Sequence, residues 1–148
     1  MKSMIKGGVL TTLALIPLVA TARTMPASSG RAVAWSDGSC FGMNSSSMQN
    51  NCSTLRSFEL PLVVDSAGSK TVYVTAYGAT PSNNVGCIAV GVNRELTAAW
   101  SSSRLWLPAF GSSKVITLTG AYVPAGGLFY TNCHVNPGGR VNVVDYNP

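Results

Sequence analysis

The stretch Lys70-Thr-Val-Tyr-Val-Thr-Ala-Tyr77 decides the fold class. Its residues are mostly β-branched or aromatic, the types that suit a pleated, half-buried surface. Val72, Val74 and Ala76 share one face and Tyr73, Thr75 and Tyr77 the other, a period of two that marks a strand. Working outward, the same kind of run recurs at Ser57–Val64, Val85–Val92, Glu95–Trp100, Arg104–Leu107, Val115–Thr119, Leu128–Val135 and Arg140–Tyr146. Turn residues separate these runs at roughly ten-residue intervals, the rhythm of an all-β sandwich or barrel. Asp65-Ser-Ala-Gly-Ser69, Thr80-Pro-Ser-Asn-Asn84, Pro124-Ala-Gly-Gly127 and Asn136-Pro-Gly-Gly139 are the clearest breaks. Pro61 points to a sheet edge or a bulge. Only Glu95–Ser102 would tolerate a short helix. The expected fold is an all-β, antiparallel, jelly-roll-like sandwich of about eight strands.

The chain has 148 residues, of which 10% are charged and 46% hydrophobic. That length supports one domain, and that hydrophobic content excludes intrinsic disorder. Residues 1–22 read as a secretory signal peptide: Lys2 and Lys6, an apolar Gly7–Val19, then the small-x-small Ala20-Thr21-Ala22. The apolar run is too short for a membrane span, and Pro17 interrupts it. After signal removal no integral membrane segment is expected. Residues 23–30 read as a flexible lead, and 31–148 as the sandwich domain.

Without Lys2 and Lys6, eight basic residues face five acidic ones, a net charge of +3. The arginines are scattered, with no basic run, so nucleic acid is not an expected partner. All four cysteines lie in the exported part, and an even count in an oxidising compartment argues for two disulfides. Cys40 and Cys52 bracket a Ser/Asn-rich loop, whereas Cys87 and Cys133 each sit in a strand. The pairing expected is therefore Cys40 with Cys52 and Cys87 with Cys133, worth about 3 and about 4 kcal/mol in the chain-entropy account.

The order of these features resembles a family. A Cys in a polar loop is followed by Asn51-Cys52, Leu60-Pro-Leu-Val-Val-Asp65, a Val-x-Val strand and Gly86-Cys87-Ile88. Then come Phe129-Tyr130-x-x-Cys133, Gly139-Arg140-Val141 and the late aromatic Tyr146. Over nearly the whole exported chain this resembles the small exported, disulfide-containing β-rich proteins of unknown function common in myxobacteria and other proteobacteria. Cys133-His-Val-Asn-Pro137 departs from that pattern, where an apolar residue is expected before proline. The resemblance implies bacterial export, β architecture and disulfides, and it carries no assigned activity over to this chain.

Catalytic chemistry has little to work with. There is one histidine, His134, expected to point outward with Leu128, Tyr130 and Asn132 if Phe129 and Cys133 face inward. There is no Gly-x-Ser-x-Gly elbow, and five carboxylates give little scope for a facing pair. Zinc lacks paired ligand spacings and calcium lacks an Asp-rich loop, so no cofactor or metal is expected. The aromatics are the better lead. In Trp100-Ser-Ser-Ser-Arg-Leu-Trp106 a hairpin at Ser103 would set the two tryptophans opposite each other. They would form either a flat platform for a sugar ring or a cross-strand packing pair, and packing is expected for at least one.

The function expected is a non-enzymatic exported module that binds a surface, a matrix polymer or a partner protein. The alternatives are a structural self-associating extracellular protein, whose sheet edges pair between chains, and a small secreted hydrolase. The destination is the medium, the periplasm or the cell surface. N-terminal sequencing of exported protein should begin at Arg23. An intact Met1 in that fraction would overturn the cleavage assignment.

Overall fold

In the computed structural model, which describes residues 22–148, the alternation of Lys70–Tyr77 is realised as a strand with Val72, Val74 and Ala76 fully buried. The stretch expected to be a signal peptide, residues 1–22, lies outside the described residues except for Ala22. Twelve strands follow in chain order: β1 Arg23–Pro26, β2 Arg31–Ala32, β3 Phe41–Asn44, β4 Ser47–Asn50, β5 Arg56–Leu62 and β6 Gly68–Tyr77. The second half holds β7 Val85–Val92, β8 Ala99–Ser101, β9 Leu105–Trp106, β10 Lys114–Val123, β11 Leu128–Val135 and β12 Arg140–Tyr146. Two antiparallel six-stranded sheets result. Sheet A runs β10-β6-β12-β4-β3 with β1 also on β12, and sheet B runs β2-β5-β11-β7-β8 with β9 also on β7.

The core is the set of inward residues of both sheets, including Phe58, Leu60, Val85, Ala89, Phe129 and Val135 from sheet B. Sheet A answers with Val72, Val74, Leu118, Val141, Val144 and Tyr146. The buried Tyr146 hydroxyl accepts a hydrogen bond from the Val63 amide at 3.1 Å, so its polar end is satisfied. At Gly91 the sheets come so close that a Cβ would stand 2.0 Å from the Tyr122 carbonyl oxygen. No side chain fits there.

The sandwich class and both disulfides are as expected, Cys40–Cys52 and Cys87–Cys133. Cys87 and Cys133 face each other directly across β7 and β11. Two disulfides place the chain in an oxidising compartment.

Several local expectations are corrected. Twelve strands replace about eight, because β1–β4 are only two to four residues long, too short for an alternation to stand out in the sequence. Residues 23–30 are no flexible lead: β1 pairs with β12 from Arg23↔Tyr146 to Pro26↔Val143, Ala27 is buried, and Arg23 grips Asp65 through both carboxylate oxygens. The Ser/Asn-rich loop between Cys40 and Cys52 is the β3–β4 hairpin, its turn made possible by Ser45 at φ 55°. Asn50, fully buried, bonds the Thr54 and Val135 carbonyls and accepts from the Cys52 amide, which fixes this hairpin to sheet B. Glu95–Ser102 is neither helix nor one strand. The Asn93 side chain caps a turn by accepting from the Thr97 and Ala98 amides, and only Ala99–Ser101 extends.

Lys70 is the exception inside the core-facing set. It is 3% exposed, and Nζ has one hydrogen bond, to Ser66 Oγ at 3.3 Å. Burial lowers its pKa, and the Asp65 carboxylate only partly opposes this. The unfolded chain keeps that proton up to about pH 10.4, whereas the folded chain releases it earlier. Stability should therefore rise with pH through that window, and the penalty should be fully present below it. Lys70→Met should raise stability at pH 7, on the order of 1 kcal/mol, and abolish the alkaline gain. Urea unfolding at pH 7 and pH 10 checks both, and a less stable Met variant would refute the reading.

Candidate functional site

An antiparallel sheet with one face on the core usually turns a polar face to water. The outer face of sheet B does not follow that rule. Because Cys87, Ala89 and Gly91 of β7 face inward, Gly86, Ile88, Val90 and Val92 face outward. Beside them on β11 stand His134, Asn132, Tyr130 and Leu128, and on β5 Ser57, Glu59 and Pro61. The face is a mixture of apolar, aromatic and hydrogen-bonding side chains.

At one end of it lies Trp106. In β9, Trp106 pairs with Gly86 and Leu107 turns into the core. A Cβ on Gly86 would meet three ring carbons of Trp106, Cδ2, Cε3 and Cε2, at 2.4, 2.5 and 2.8 Å. Three near-equal distances mean that the indole lies face-on over the glycine. One face of the ring rests on the sheet, and the side chain is left 41% exposed. Arg104 lies alongside. Its Nη1 donates to the Gly86 carbonyl at 2.6 Å and its Nη2 to Asn132 Oδ1 at 3.1 Å. Burial lowers the Arg104 pKa. His134 is opposite Gly86 on β11, half-buried, its pKa lowered first by burial and then by Arg104. It is therefore neutral at physiological pH and offers one donor and one acceptor.

Farther along the same face is a groove of about 710 Å³, with Leu128, Leu96, Val63 and Tyr130 among its lining. The Arg31–Glu59 ion pair at 2.8 Å closes its side. Burial, with Glu59 second, raises the Tyr130 pKa, so its hydroxyl stays protonated. From the Gly86 row to the Val92 row is six residues along β7, about 20 Å.

The two tryptophans singled out in the sequence do not face each other. The expected hairpin at Ser103 is absent, because β8 and β9 both add to β7: Trp100 pairs with Gly91 and Trp106 with Gly86. Ser102, buried between them, bonds the Ala89 amide through Oγ and holds the crossing. Gly86 and Gly91 are five positions apart, an odd offset, so the tryptophans lie on opposite faces. Trp100 turns toward the other sheet and meets Tyr122 edge-on, with centroids 6.0 Å apart, plugging the sandwich edge. One is a packing residue and the other a platform.

Arg104, Tyr130 and the Arg31–Glu59 pair were not picked out in sequence, nor was Trp35, which stands exposed on the 3-10 turn Trp35–Cys40. A tryptophan within Trp-Ser-Asp-Gly-Ser-Cys, where turn residues leave nothing to pack on it, is the one signal that could have marked the last. Among the described residues no three His, Cys, Asp or Glu side chains converge as a metal site would need, and no helix is long and apolar enough to cross a membrane.

No family model and no curated protein sequence matches the chain. Solved structures do. The chain is similar to the C-terminal CBM6 of LamC, a marine laminarinase from Zobellia galactanivorans, with TM-score 0.54, 12% identity, and coverage of 86% of this chain and 100% of that one. It is also similar to CBM6cm-2 of Cellvibrio mixtus lichenase 5A in complex with cellotriose, with TM-score 0.49, 13% identity, and coverage of 85% and 96%. At that identity the likeness to the LamC module is one of fold: a jelly-roll-like β-sandwich.

Gly86→Ala should force the Trp106 ring off the sheet. The cost should be about 1–3 kcal/mol, as for other overpacking changes, with a rise in acrylamide quenching of tryptophan fluorescence. Unchanged quenching and stability would show that the indole does not rest on Gly86.

Proposed function

We propose that this protein is an exported, non-catalytic module that binds a polysaccharide on the outer face of sheet B. The observation that carries the reading is the Trp106 indole, laid flat over Gly86 with its other face toward solvent. A sugar ring has an apolar face that stacks on such a plane and a rim of hydroxyls. Arg104 and Asn132, held to each other, and neutral His134 supply donors and acceptors for that rim. The groove beyond gives a chain room to continue, and a few convergent polar groups on an apolar floor are the usual make-up of a ligand site. The carbohydrate-binding name of the LamC module points the same way.

The chemistry of the face supports binding over hydrolysis. Glu59, its carboxylate, is tied to Arg31, and glycoside hydrolysis takes two carboxylates facing one cleft. Self-association has less support. The long edge strand β10 carries a bulge between Leu118 and Ala121, with Gly120 at φ 89°, and a bulged edge is poor for pairing with another chain. The partner is thus an extracellular polymer met in the medium, in the periplasm or at the cell surface.

Affinity electrophoresis against laminarin, β-1,4-galactan, xylan and polygalacturonate tests this. At least one polymer should retard the protein, and Trp106→Ala should weaken that retention about tenfold, on the order of 1.4 kcal/mol, with the fold intact. Trp100→Ala should keep retention but lose stability, roughly half of the about 3–5 kcal/mol of a fully buried tryptophan. Failure to bind any of the polymers would overturn the reading.

A further inference from the structure

Trp35 is 98% exposed. Val33 and Ala34 beside it are exposed as well, so three consecutive apolar residues face solvent. Packing does not account for them. Ser36, Gly38 and Ser39 carry no bulk to cover the ring, and a Cβ on Gly38 would meet nothing within 4 Å. A large exposed aromatic within an apolar patch is the usual mark of a contact surface.

The segment that carries Trp35 is fixed at both ends. On one side the Val33 amide donates to the Ser57 carbonyl at 2.9 Å, continuing the β2–β5 pairing. On the other side Cys40 is bonded to Cys52. Between them the Asp37 amide closes a turn on the Ala34 carbonyl at 3.0 Å, and the Asp37 carboxylate meets Arg56 at 3.4 Å. A backbone held this way has little freedom to lose on contact, which favours a binding anchor.

Its position relates it to the face already described. A hollow of about 250 Å³ beside Trp35 is lined by Arg31, Ala32, Val33, Ala34 and Gly38. Arg31 also lines the 710 Å³ groove, so the Arg31–Glu59 pair is the ridge between the two. From β7 across β11 and β5 to β2 is three inter-strand steps, about 14 Å. A chain crossing the groove and leaving over Arg31 arrives at Trp35.

We infer that Trp35 is a second aromatic contact for the polymer, beyond the β2 edge, so that the module engages an extended chain over several sugar rings. This rests on the glycan reading above. It also adds to it, because a site confined to Trp106 and the groove would hold a short oligosaccharide as well as it holds a polymer. Two linked contacts strengthen binding only when one ligand spans both.

The full chain, wild type and Trp35→Ala, is titrated with whichever polymer best retards the wild type and with a trisaccharide of the same linkage. Phospholipid vesicles, neutral and anionic, form a second arm. With its ring in solvent, Trp35→Ala should unfold at the same urea concentration as wild type. We expect polymer affinity to fall tenfold or more and trisaccharide affinity to stay within twofold. Equal polymer affinity in Trp35→Ala, while Trp106→Ala loses it, would overturn the inference and leave the glycan site standing. Loss of the trisaccharide to the same degree would also overturn it, because Trp35 would then belong to the short-ligand site. Vesicle binding that depends on Trp35, without a polymer effect, would reassign the tip to a membrane surface. No retention by any polymer would overturn this inference together with the reading on which it rests.

Discussion

The covalent bond between Cys87 and Cys133 fixes the register of β7 against β11, and the character of both faces of sheet B depends on that register. Side chains alternate with a period of two, so a slip of one residue would turn every inward side chain outward. The apolar content of these strands gives a weak defence against such a slip. Val90, Val92 and Leu128 are all apolar, yet they lie on the outer face. With Cys87 opposite Cys133, Ala89 and Phe129 are committed to the core, and Gly86, Ile88, Asn132 and His134 to the outside. The bond thus serves the site as much as the core.

Strand β7 then serves both faces by omitting side chains. Gly91 lets the backbone of Tyr122 approach from the other sheet, and Gly86 lets an indole lie on the outer surface. Each glycine has a tryptophan opposite it on an added edge strand, Trp100 at Gly91 and Trp106 at Gly86. The same local device gives opposite results because one position faces the second sheet and the other faces water. Trp100 covers the sandwich edge against Tyr122, and Trp106 becomes a surface that a flat ligand can share.

The polar and charged groups show how the outer face is held in shape. Arg104 spans from the edge to β11 through Gly86 and Asn132, and Arg31 is fixed by Glu59 across β2 and β5. At Asn50 a fully buried amide ties the β3–β4 hairpin of sheet A to β11 of sheet B, so the two sheets are joined at that end by hydrogen bonds as well as by packing. Lys70 is the costly position of the fold, a desolvated ammonium with a single hydroxyl partner.

What the sequence determined by itself was the part governed by local alternation and by covalent chemistry. The strand at Lys70–Tyr77, its buried and exposed faces, the strong strands at Val85–Val92 and Leu128–Val135, and both disulfide pairings follow from period, turn residues and redox compartment. Strands β1 to β4 escaped because their stability comes from neighbours: β1 exists through β12, about 120 residues away in the chain, and runs of two to four residues are too short to show a period. The site was legible only in part. Trp106 was marked as an aromatic, but its meaning required knowing that β9 pairs with β7 and lands on Gly86, a pairing set by Ser102 crossing the edge and by Leu107 entering the core. Trp35 left almost no mark, since a tryptophan is usually buried and only the folded chain shows that nothing covers this one. Local patterning reports which residues alternate, whereas only long-range pairing decides which of the resulting faces is left for a partner.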